Sequence, residues 1–181
     1  MALKTGETFV NPNSGGKVTV RESWLDNDGA RVVLDRTFPP GTGHADPHVH
    51  LDFTQWFEVI SGTGRLEVKG SERELGPGDR IELPIGTAHR DLWNAGPREM
   101  TGRLTIEPVP RFVEMFGVTW MDLYSKGETN DQDEMPLLQI LVLVQASEGR
   151  SFASGPPRWL QSAMLPLIAA IGRMRGYRAL G

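Results

Sequence analysis

Up to about residue 110 the chain is written in short alternating runs of apolar and polar residues. KVTVRESW (17–24), RVVLDRTF (31–38), QWFEVIS (55–61), RLEVKG (65–70), RIELP (80–84) and GRLTIE (102–107) are each rich in β-branched or aromatic residues. Between them stand dense turn signals: NPNSGG, DNDG, PPGTG, SGTG, KGSE, GPGD and NAGP. Period-2 runs of this length, closed by Gly, Pro, Asn and Asp, predict β-strands. Many short strands at even spacing predict an all-β sandwich or barrel.

From Arg111 the pattern changes. RFVEMFGVTWMDLYSKG (111–127) predicts a helix with Phe112, Met115, Phe116 and Trp120 on its apolar side. An acidic loop, ETNDQDE, follows. MPLLQILVLVQASEG (135–149) is preferred as a helix, with Pro136 at its start and Gly149 at its end; a buried strand is the alternative. SFASGPP reads as a connecting loop, and 158–181 as a pair of helices interrupted or kinked at Pro166. The expected organisation is a β unit over 1–110 and a helical extension over 111–181, packed on that unit or on a dimer partner.

Composition narrows the function classes. The apolar share of 39% and charged share of 23% are ordinary for a soluble domain, and the net charge of −4 is too mild to suggest nucleic acid as a partner. The chain has no cysteine, which removes disulfides, thiolate metal sites and cysteine nucleophiles. A cytoplasmic location is expected, since the N-terminal residues lack an apolar signal core and no stretch is long enough to span a membrane.

Three of the four histidines, His44, His48 and His50, fall within seven residues. On a strand, His48 and His50 face the same side about 6–7 Å apart, a reach at which two imidazoles can share an ion. Gln55 follows after four residues and Gly62 after six more. Further on, Gly78, Pro84, Gly86 and His89 form a turn that presents His89 at the start of a new strand, with Asn94 five residues later.

These residues resemble the cupin superfamily, whose motifs are G(X)5HXH(X)3–4E(X)6G and G(X)5PXG(X)2H(X)3N. The second motif matches from Gly78 through His89, with Asn94 one residue late. The first matches at His48, His50 and Gly62; Gly41 and Gly43 stand at unusual separations, and Gln55 replaces glutamate. The resemblance spans roughly residues 15–110. It implies an all-β cupin double-stranded β-helix (jelly-roll) barrel and one divalent metal ion (Ni, Zn, Mn or Fe) on His48, His50, Gln55 and His89. Gln55 hydrogen-bonding from behind the ligands is the alternative. His44 is expected to be an exposed loop residue.

Three imidazoles and an amide are all neutral and would leave the ion its full +2. That favours Lewis-acid chemistry and anionic substrates and works against oxidised iron. The expectation is a lyase or isomerase on a carbonyl compound or sugar acid. Some cupins that the chain resembles, including those acting on unsaturated uronates, use a three-His, one-Gln centre. A dioxygenase and a non-catalytic ligand-binding or sensor module are the alternatives.

Asp91 and Trp93 share the parity of His89. Asp91 is the candidate acid–base; Phe57 and Trp93 are candidate pocket walls. Glu58 should face away. Arg65 and Arg103 are read as surface residues that could meet an anionic substrate. The partners expected are a small molecule and a second copy of the chain. The last 25 residues hold four arginines and no acidic residue. A helix packed on the β unit or on a second subunit is preferred there; a basic amphipathic helix on anionic membrane is the second reading.

Overall fold

The computed structural model describes residues 3–180. Eleven strands and three α-helices follow one another along them. The strands are β1 (Thr8–Val10), β2 (Lys17–Glu22), β3 (Val32–Phe38), β4 (His48–His50), β5 (Thr54–Ser61) and β6 (Gly64–Val68). They continue with β7 (Ser71–Leu75), β8 (Arg80–Leu83), β9 (His89–Trp93), β10 (Met100–Glu107) and β11 (Ser151–Ala153). The helices are α1 (Arg111–Lys126), α2 (Leu137–Ala146) and α3 (Arg158–Met174).

The strands form two antiparallel sheets, β1-β2-β3-β10-β5-β8 and β11-β4-β9-β6-β7. Alternation sends Gln55, Phe57 and Val59 of β5 inward, and Leu66 of β6 toward them from the other sheet. One core, with Phe38, Phe57, Val59, Leu66, Leu83, Leu92 and Met100, lies between the sheets. A second joins Val18, Val20, Val32, Leu34 and Ile106 to Phe112, Val113, Met121 and Tyr124 of α1 and to Met135 and Leu143. The helical segment therefore packs against the six-stranded sheet and buries apolar surface that neither part could cover alone.

Two local features were hard to anticipate. β7 is SEREL, almost entirely exposed, and its residues alone do not suggest a strand. It forms because Lys69 and Gly70, at φ 51° and 78°, make the left-handed two-residue turn that closes a hairpin on β6. β9 carries a bulge: Trp93 pairs with Arg65 and Arg90 with Glu67, so Asp91 and Leu92 together oppose Leu66.

The bulge explains why Asn94 falls one residue late. The extra residue is absorbed inside β9, and Asn94 is fully buried, donating to the carbonyls of Phe38 (3.0 Å) and Arg98 (2.7 Å). Gly43 and Gly62, both at positive φ, lie where a side chain would strike Phe38 or the Glu99–Met100 backbone.

The C-terminal segment differs from expectation in two places. It is not helical throughout: Ser151–Ala153, read as loop, adds a strand to the edge of β4, with Ser151 opposite His50 and Ala153 opposite His48. And 158–174 is one helix, not an interrupted pair, with Pro166 inside it. Pro166 and Ser162, whose carbonyl loses its usual partner, are both exposed, so water can satisfy that carbonyl. The helix preferred for LQILVLV is present as α2.

Candidate metal centre

Three strands and one turn deliver the site. β4 carries His48 and His50 on one face, and pairing of β4 with β9 puts His89 directly opposite His48. The tight turn at Pro84–Thr87, with Gly86 at φ 81°, feeds the chain into β9. One ligand atom from each of the three histidines lies within 4.8 Å of the others. The His48 ring centroid is 4.5 Å from that of His89 and 4.8 Å from that of His50.

Each histidine is held by its Nδ1. His48 Nδ1 lies 2.7 Å from the Asp46 carbonyl and His89 Nδ1 2.8 Å from the Thr87 carbonyl. A carbonyl only accepts, so both Nδ1 atoms carry the proton and both Nε2 atoms are left as donors of a lone pair. His50 Nδ1 lies 2.8 Å from the Ser151 hydroxyl, which imposes the same orientation if it accepts. The His50 ring stacks on Phe53 at 4.3 Å and lies 6.5 Å from Phe112 at the start of α1.

Gln55 is on the inward face of β5 in the other sheet, opposite Leu83 and Ile106 in register. It is buried, and its Oε1 has no hydrogen-bond partner. His89 Nε2 and Asp91 Oδ1 are likewise buried and unpartnered. Unsatisfied buried polar atoms are costly and uncommon. Two of these three belong to the expected ligand set, and a divalent cation would satisfy them. On that test the donor set of three imidazoles and one amide oxygen fits a first-row divalent ion.

Asp91 lies closer to the centre than a wall residue. Its Oδ1 is 3.3 Å from His89 Nε2 and 3.6 Å from His48 Nε2. Burial pushes its carboxyl up, but the His48 charge and the contacts with both rings outweigh it and hold Asp91 well below the usual carboxylate range. Burial likewise lowers His48, but Asp91 prevails and raises it. His50, buried and facing the other two histidines, is held well below its ordinary value. The neutral centre expected from Gln55 is thus accompanied by a carboxylate two residues from His89.

Phe57 is buried two positions along β5 from Gln55, on the same inward face. Trp93 does not continue the parity of His89. The bulge shifts it into register with Arg65, and it packs edge-on against His44 at 4.9 Å. It is nonetheless buried in the core between the sheets, in the same cluster as Phe57. His44 is exposed, within 3.2 Å of Arg90 Nη1. Glu58 has the parity opposite to Gln55 and Phe57 and pairs with Arg80 and Arg103 in register. Arg103 is bound to Asp35 at 2.7 Å and Arg65 to Glu74 at 3.4 Å.

The residues that were missed come from distant chain. Ser151 sits 101 residues from His50 in a segment that looked like a linker. Glu134, from the acidic loop before α2, lies 3.4 Å from Arg36 Nη1. Arg36 shares the inward parity of Leu34 and Phe38 on β3, stacks on the rings of Phe38 and Trp120, and has Nε and Nη2 unpartnered. Burial raises the Glu134 carboxyl to about 7 against the pull of Arg36, with the Asp91 charge adding to the rise. An acid flanked by Asp and Met in a polar loop gives no sequence signal of such burial.

With this geometry in hand, comparison with known proteins narrows the class. The cupin domain family model matches residues 35–105, the stretch that holds all four expected ligands. Quercetin 2,3-dioxygenase of Bacillus subtilis (strain 168) is 30% identical over 99 residues, 55% of this chain and 28% of that protein. The chain thus spans less than a third of that relative's length. Among solved structures, a predicted oxalate decarboxylase from Thermotoga maritima covers 60% of this chain and 100% of its own, at 20% identity and TM-score 0.47. KdgF from Halomonas sp. covers 55% and 85%, at 22% identity and TM-score 0.44.

Proposed function

We propose that this protein is a divalent-metal-dependent enzyme acting on a small carbonyl compound or sugar acid, as a lyase or isomerase. One observation carries the reading: His48 and His89 are oriented through Nδ1, His50 is held the same way, and Gln55, with its buried, unpartnered Oε1, is on the inward face of the opposite sheet. His48, His50, Gln55 and His89 would hold the ion. Bound there, a divalent ion supplies Lewis acidity toward a carbonyl or carboxylate oxygen.

The chain's own groups do the rest. Asp91 Oδ1 lies 3.3 Å from His89 Nε2, beside the expected ligands, so it is the group placed to take a proton from carbon next to the substrate carbonyl and to return it. Phe53 and Phe112 lie against His50, and the apolar surface they supply strengthens electrostatic contacts on that side of the site.

A second reading, an oxygenase, is favoured by a curated relative whose printed activity is a dioxygenase, and by Asp91, which restores a negative charge beside the ligands. Elemental analysis of purified protein tests both. The expected result is about one divalent ion per chain, lost in His48→Ala and reduced in Gln55→Ala. A metal-free wild type, or equal metal in His48→Ala, would sink both enzyme readings and leave a ligand-binding module. Bound iron with substrate-dependent oxygen uptake would select the oxygenase.

A further inference from the structure

The helix α3 has two unlike faces. One packs on α2: Ala169 is fully buried, and a side chain at Gly172 would come within 2.7 Å of Val142 and 3.3 Å of the Leu138 carbonyl. The other carries Leu160, Met164, Leu167, Ile171 and Met174, all exposed, with Leu167 at 63% and Met174 at 79%. At about 100° per residue these five fall within roughly 80° of arc, one continuous ridge turned away from α2. Trp159, 73% exposed, stands beside the ridge at its N-terminal end.

Charge tells which occupant suits the ridge. Residues 157–181 hold Arg158, Arg173, Arg175 and Arg178 and no Asp or Glu, while the chain as a whole is −4. All four arginines are exposed. Arg158 lies over the Phe152 ring at 4.4 Å and Arg173 donates to Gln145 at 2.6 Å, so these two lie on the side of α2 and β11, away from the ridge; Arg175 and Arg178 follow the end of the helix. Pairing of two copies ridge to ridge would bring arginines together in either direction, with no carboxylate on the segment to offset them. An anionic lipid surface instead meets every one of these features: arginine for the headgroups, a Trp at the boundary and an aliphatic ridge for the acyl region.

We infer that α3 seats the protein peripherally on anionic membrane, its Leu160–Met174 ridge buried at the interface and Arg175 and Arg178 among the headgroups. The helix lies along the surface; no helix among the described residues is long and apolar enough to cross a membrane.

Co-sedimentation of the full chain with vesicles tests this, using phosphatidylcholine alone and phosphatidylcholine with phosphatidylglycerol. Expected is binding to the anionic vesicles only, falling steeply with added salt, and at least tenfold weaker in Leu167→Glu/Ile171→Glu. Both positions are exposed, so the variant should keep the wild-type melting temperature and metal content. Arg175→Gln/Arg178→Gln should weaken binding at low salt and flatten its salt dependence. No pelleting of the wild type with anionic vesicles, or equal pelleting of the Leu167/Ile171 variant, overturns the inference. So does a dimer in sedimentation velocity that the Leu167/Ile171 variant dissociates, which would make the ridge a self-interface.

Discussion

His48 and His89 each anchor Nδ1 on a carbonyl two residues upstream, whereas His50 anchors on a hydroxyl 101 residues downstream. The first arrangement is local. A chain that forms β4 and β9 orients those two rings without further help. The second depends on β11 docking at the sheet edge, and behind it on α2, since Ser147 Oγ accepts from the Ser151 N–H at 3.2 Å. The cupin domain therefore supplies all the expected ligands, and the C-terminal segment supplies the group that orients one of them. Phe112 and Glu134 extend the same division: the later part of the chain shapes and desolvates a site it does not ligate.

The comparison breaks first at the ligands. His89 is almost fully buried and faces His48 across the sheet, so His89→Ala removes a donor that nothing replaces. Stoichiometric metal should be lost entirely, as read by elemental analysis after dialysis. Retention of wild-type metal in His89→Ala would mean the three histidines do not share an ion.

It sharpens at Ser151. Losing an outer hydrogen bond to a ligating imidazole commonly weakens metal binding by about 10–100-fold. Ser151→Ala should fall in that range by chelator competition, while Ser151→Thr, which keeps the hydroxyl, should recover most of the affinity. A purely structural role predicts otherwise: Ala and Thr would lower the melting temperature of metal-free protein alike and leave affinity unchanged. The ring signals offer a second check. Nitrogen-15 shifts of His50 should move in Ser151→Ala while those of His48 and His89 stay in place.

Much of this was legible because it is local. The Gly78–His89 turn, the His48–His50 spacing and the inward parity of Gln55 and Phe57 need only a few neighbouring residues to be decided. What escaped depends on long-range pairing. SFA became a strand because β4 offered it an edge, and three residues between Gly and Pro carry no periodicity of their own. The register of Trp93 could not be read because a single extra residue in β9 breaks strict alternation, and the late Asn94 was the visible trace of that bulge. Pro166 argued for two helices, yet its missing donor falls on an exposed side where water can meet the freed carbonyl. The charge argument built on Gln55 left out a neighbouring carboxylate. Asp91 was legible as a face-sharing residue, but its distance to two Nε2 atoms was not.

Glu134 gives the smallest effect and the most direct view of how the C-terminal segment couples to the centre. Its carboxyl is raised from 4.5 to about 7, chiefly by burial, with Arg36 opposing and Asp91 adding to the rise. Below about pH 4.5 the folded and unfolded chains both hold this proton, and the group makes no difference to stability. Between 4.5 and 7 the unfolded chain releases it while the folded chain keeps it, so this group's contribution falls as pH rises and levels off above 7. The shift corresponds to about 3 kcal/mol as an upper bound at 1.36 kcal/mol per unit. Glu134→Gln cannot titrate. In metal-free protein, its urea-unfolding free energy relative to wild type should therefore improve from pH 4.5 to pH 8 by on the order of 1–3 kcal/mol. The Arg36 hydrogen bond lost in the variant lowers both ends of that curve and leaves the difference standing. Parallel curves for the two proteins across this range would show that Glu134 is ionised throughout, and that the loop before α2 does not sense the charge at Asp91 and His48.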